Sequence, residues 1–170
     1  MSRVVMAVVS LALVAYSYFE VKADLPSLTA AIPTDSAAIP VPQAICMDLR
    51  FSFAIQLLLV ALFLIVGYIV PESAHFGWWS LGRYTPKQRE RILPKLRELI
   101  GVLTLLISGY FAAQIHLVIR SARSYGLLLP RVWLQHLERA KLYGLVALLL
   151  TCAIVIFRYL KKFEVLAGEG

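Results

Sequence analysis

The sequence predicts an all-α integral membrane four-helix bundle with short interfacial helices and a Pro-rich external loop, on three observations. The 170 residues are 60% hydrophobic and 16% charged, against about half and a quarter in soluble domains. That excess is gathered into four blocks, Val4–Phe19, Phe51–Val70, Leu99–Ile119 and Leu142–Phe157, none of which contains Asp, Glu, Lys or Arg. The stretches between them hold the prolines, tryptophans and basic residues that mark loops and bilayer edges. A hydrocarbon core about 30 Å thick takes roughly 20 residues at 1.5 Å each. The second and third blocks reach that length; the first and last need snorkelling by Arg3, Lys22, Arg158, Lys161 and Lys162. The expected spans of this single transmembrane domain are 3–21, 50–70, 95–120 and 131–161.

The first block also fits a secretory signal, since Arg3 precedes an apolar stretch ending at Val21-Lys22-Ala23, which passes as a cleavage site. We read it as a retained span. The external loop, residues 22–49, contains Pro26, Pro33, Pro40 and Pro42 among Ala, Ser and Thr, which disfavours both regular helix and paired strand. With few charges, it suits a membrane surface or a partner better than open water.

The basic loop, residues 71–94, follows the second span. Phe76, Trp78 and Trp79 are expected to anchor there at the membrane–water interface, as is Trp133 before the fourth span. Thr85-Pro86-Lys87-Gln88 reads as an N-cap, a proline in the first turn and the Gln of a capping box. A short interfacial helix over Lys87–Leu93 should then kink at Pro94 and run into the third span.

The formal charge of +7 does not point to nucleic acid, because the basic residues bracket apolar blocks instead of forming one face. Residues 71–98 carry six (Arg83, Lys87, Arg89, Arg91, Lys95, Arg97), whereas 20–50 carry two (Lys22, Arg50). Cytoplasmic segments accumulate Lys and Arg, so both termini and the 71–98 segment are expected inside a bacterial inner membrane. Residues 120–141, with five, run against that trend. Cys46 and Cys152 lie in a loop and deep in an apolar block, and no Cys/His spacing suggests a metal.

In the third span, Ser108, Gly109, Ala112 and Ala113 form two small-xxx-small pairs, the pattern that lets helix backbones approach closely. They fit packing within the chain or a face for a partner helix. His116 is the only His, Asp, Glu, Lys or Arg inside any block. An intramembrane ionisable group points to function, and a neutral imidazole can ligate a metal, including that of a haem or chlorophyll-type ring. His116 is near the end of its span, however, which favours an interfacial histidine. Arg120 shares its face one turn on, so His116 and Arg120 form a candidate cofactor or polar contact; Gln114 points elsewhere. His75 and His136 read as solvated.

No block offers a carboxylate for proton relay, and phosphate-loop, dinucleotide, zinc-protease and nucleophile-elbow patterns are absent, so no enzyme is expected. Pro71-Glu72, the aromatic run His75-Phe76-Gly77-Trp78-Trp79 and the charged stretch Tyr84–Arg97 leading into a span resemble small bacterial membrane proteins related to the Sdp-type immunity and signalling family. That resemblance implies a stand-alone immunity or signalling role. The family's loop signature, Pro-x-His-Phe followed by Gly, has no counterpart here: Pro33 is followed by Thr34-Asp35-Ser36. The residues themselves favour an accessory subunit of a larger membrane complex, respiratory or photosynthetic, with integral membrane partners and a lipid or chlorophyll-type pigment contact. A small membrane enzyme or carrier is a third alternative.

Overall fold

The computed structural model describes residues 3–30, 41–65, 85–125 and 131–168. Four helices make up the architecture: α1 (Arg3–Ala30), α2 (Val41–Leu64), α3 (Pro86–Tyr125) and α4 (Arg131–Gly168). Each contains a stretch long and apolar enough to cross a membrane: Val4–Ala23, Met47–Leu64, Glu90–Ser121 and Gln135–Leu166. The all-helical, four-span reading of the sequence therefore holds. Its physical basis is local, because in hydrocarbon a helix satisfies every backbone donor and acceptor within its own segment.

Three boundaries differ from expectation. Helix occupies both ends of the stretch assigned to the external loop, with α1 continuing through Pro26 to Ala30 and α2 starting at Val41. Pro42 falls in the first turn, where its missing N–H has no partner to lose. The remaining part of that loop, residues 31–40, lies outside the described residues, as do 66–84 with Phe76, Trp78, Trp79 and His75. The short interfacial helix expected before Pro94 is instead part of α3, which runs through Pro94 as one 40-residue element. Pro94 is exposed, while Ile92 before it and Leu99 after it join one core cluster with Tyr159 and Phe163 of α4. Packing on both sides of the proline holds the helix together. The N-terminus of α3 forms as the sequence predicts: the Thr85 N–H donates to Gln88 Oε1 at 2.9 Å, and the Gln88 N–H to Thr85 Oγ1 at 3.4 Å.

α3 is the hub of the arrangement, packing against α1, α2 and α4, with α1 also on α2. Met6 meets Gly101 near one end of α1 and Glu20 meets His116 near the other, so α1 and α3 run parallel. α4 runs antiparallel to α3, with Gly144 at Tyr110 and Tyr159 in the Leu99 cluster. At one end of the fold Val21, Leu49, Ile115, Val118, Ile119 and Leu137 bring all four helices into one apolar cluster.

Between the two ends lies a layer of small polar side chains. Ser10, Ser17, Gln56, Thr104 and Ser108 are all buried. Ser10, Ser17 and Thr104 satisfy their hydroxyls on the carbonyls four residues back, at 2.8, 3.0 and 2.8 Å. Gln56 instead crosses between helices, its Nε2 donating to the Ser108 carbonyl at 3.2 Å. Small side chains permit this close approach, the usual basis of helix association in lipid. On α4 the same role falls to Gly144, where an added Cβ would stand 3.1 Å from the Tyr110 ring.

Candidate functional site

The polar group with the most unusual setting lies where the apolar spans of α1 and α3 near their ends, close to Ala23 and Ser121. Tyr16 and Glu20 are one turn apart on α1, and the Tyr16 hydroxyl donates to Glu20 Oε1 at 2.6 Å. His116 closes a triangle on α3: its Nδ1 is 2.9 Å from Glu20 Oε1 and 2.8 Å from the Tyr16 hydroxyl. A carboxylate oxygen accepts, so the tautomer that completes this bond is the one with its proton on Nδ1, in which Nε2 is left as an acceptor. The Glu20 side chain is 16% exposed and that of His116 49%, so the acid is the covered partner and the imidazole the accessible one. Glu20 Oε2 is buried without a hydrogen-bond partner among the described residues.

Glu20, His116, Ile119 and Arg120 line an open cleft of about 310 Å³. His116 and Arg120, expected to share a face, both line this cleft. Gln114 faces away, as helix geometry requires: its Nε2 donates to the Tyr110 hydroxyl at 2.9 Å, which donates to the Lys141 carbonyl at 3.0 Å. Sequence reasoning missed Glu20 and Tyr16. Glu20 falls one residue past the first apolar block, and the available signal was its spacing of four from a tyrosine inside that block.

The expected small-residue face is divided by the fold. Ser108 and Ala112 are buried within the chain, so they are not free to pack a partner helix. Gly109 is half-buried and Ala113 exposed, and a Cβ at residue 109 would meet nothing within 4 Å. Residues 109, 113, 116 and 120 are spaced four, three and four apart and so share one helix face. The open small residues therefore lead along α3 to the polar cleft.

A second polar contact ties α2 to α4 at the same end of the fold. Lys141 Nζ bonds the Asp48 carboxylate and lies 3.3 Å from Glu138 Oε1. Trp133 belongs to the first turn of α4, and its side chain lies outside the described residues. Among the described residues, no three His, Cys, Asp or Glu side chains come together as metal ligands. The His116 cleft offers an imidazole nitrogen and a guanidinium group, suited to holding a polar headgroup, a carbonyl or an anion.

No protein-family model matches the chain, and no curated protein or solved structure matches it either.

Proposed function

We propose that this chain is a non-catalytic accessory subunit of a larger membrane complex of respiratory or photosynthetic type, in a bacterial inner membrane with both termini cytoplasmic. The observation that carries this reading is the placement of α4. From residue 138 to residue 158 no side chain of α4 is buried. Its inward face is a narrow stripe, with Gly144, Leu148 and Cys152 half-buried at intervals of four, while Leu145, Leu149, Leu150 and Ile154 point outward. Beside it, α3 leaves Gly109 and Ala113 open. A helix docked along one edge next to an open small-residue face suits a subunit whose remaining contacts come from neighbours and lipid.

The His116 cleft supports a narrower reading within the same role, as a contact for the polar group of a pigment, a lipid or a neighbouring subunit. Purification of the tagged protein in mild detergent tests both. Discrete integral membrane partners, with or without a pigment absorption band, are the expected result. A chain that emerges alone and colourless rejects the subunit role and favours the stand-alone immunity or signalling alternative.

A further inference from the structure

We propose that the C-terminal end of α4 holds an anionic phospholipid, with its phosphate against Arg158 and Lys161. Two adjoining grooves, of about 570 and 330 Å³, meet at Lys161. The larger is walled by Ala153, Ile154 and Phe157 below the two cations, and the smaller by Val165 and Leu166 beside Lys95 and Lys162. Ile154, Phe157, Arg158 and Lys161 share one face of the helix at spacings of three, one and three.

The position suits a lipid's headgroup and the upper part of its acyl chain. The charge-free block Leu142–Phe157 ends one residue before Arg158, so the cations stand where apolar sequence gives way to polar. From Lys161 to Ile154 the groove descends about 10 Å along the helix. Its walls there are apolar and its large side chains more than half exposed, Ile154 at 56% and Phe157 at 58%. A headgroup at the rim would thus lay an acyl chain along Phe157 and Ile154.

The charges select the sign of the headgroup. Lys161 Nζ lies 4.9 Å from the centre of the Phe157 ring and Lys162 Nζ 4.9 Å from that of Tyr159, so both ammonium groups are held against aromatic faces. Of the cations around the grooves, Lys95 is paired with Glu98 at 2.9 Å. Arg158, Lys161 and Lys162 form no ion pair among the described residues, although Glu164 lies on the same helix. Lys95 and Lys162 both act on the Glu98 carboxylate, whereas Arg158 and Lys161 have no acidic partner within ion-pair distance among the described residues, so net positive charge remains beside an apolar channel, the combination that binds anionic lipid headgroups.

The test is native mass spectrometry of the full chain from vesicles of equal parts phosphatidylcholine and phosphatidylglycerol, comparing wild type with the R158Q/K161Q double variant and with R139Q at the opposite end of α4. The wild type should retain phosphatidylglycerol in preference to phosphatidylcholine. Each basic side chain removed from the rim should weaken that preference about fivefold, so the double variant should lose about 25-fold. R139Q should keep it, and added inorganic phosphate should not displace the lipid. Arg158 and Lys161 are both exposed, so the double variant should still fold, as an unchanged helical circular dichroism signal would show. Equal retention of the two lipids, an equal loss in R139Q, or displacement by inorganic phosphate would each overturn the proposal.

Discussion

His116 Nδ1 of α3 lies 2.9 Å from Glu20 Oε1 of α1, across a separation of 96 residues in the chain. The contact requires α1 and α3 to run in the same direction at a register that also sets Met6 against Gly101. It places a covered acid behind an accessible imidazole at the end of two spans. His116→Leu should remove the interhelical bond at a cost of about 0.6 kcal/mol, the average for such bonds in membranes. We expect the purified complex to keep its absorption spectrum and to lose some of its bound protein or lipid. A pigment band that disappears in the variant would make this chain a cofactor carrier.

Gly109 and Gly144 should respond in opposite ways to the same substitution. Gly109→Leu enters open space and should leave the isolated chain folded while releasing a partner docked on α3. Gly144→Leu would drive into Tyr110 and should destabilise the α3–α4 contact by about 1–3 kcal/mol. Unfolding in mixed micelles separates the two effects, and pull-down with the tagged chain measures the partner. Full partner recovery with Gly109→Leu would reject this docking face.

Gln56 pairs one side of its amide and strands the other. Its Nε2 reaches the Ser108 carbonyl, but Oε1 and the Ser108 hydroxyl are buried without partners among the described residues. Gln56→Leu gives up one interhelical bond, worth about 0.6 kcal/mol, and relieves a stranded acceptor whose desolvation costs about 1–3 kcal/mol. The variant should therefore be as stable as the wild type or more so. A loss above about 2 kcal/mol would show that the amide matters more than this accounting allows.

Lys141 and Asp48 join α4 to α2, and a double-mutant cycle with Lys141→Met and Asp48→Asn should give a coupling of about 1 kcal/mol. The figure is held down by solvent, since the Asp48 side chain is 38% exposed. Zero coupling would mean that this ion pair contributes nothing to holding α4 on α2.

Orientation is testable by labelling. In a chain with Cys46 and Cys152 replaced by Ser, a single cysteine at Ser36 should react from outside and one at Ser80 only from the cytoplasm. The contrast in basic residues between 71–98 and 20–50 motivates this expectation. The reverse pattern would invert the topology and leave the spans in place.

The number of spans, the capping box at Thr85 and Gln88, and the shared face of His116 and Arg120 could all be read from the residues alone. Each depends on local physics: an uncharged stretch of about 20 residues partitions into hydrocarbon, and a helix closes its own hydrogen bonds. The pairing of Glu20 with His116, the central place of α3, the passage of helix through Pro26 and Pro94, and the division of the small-residue face between buried Ser108 and open Gly109 belong to the tertiary structure. Hydrophobicity cannot assign these partners, because lipid is as apolar as the side chains that face it. Which helix meets which, and at what register, is decided by close fit and interhelical hydrogen bonds between residues far apart in the chain.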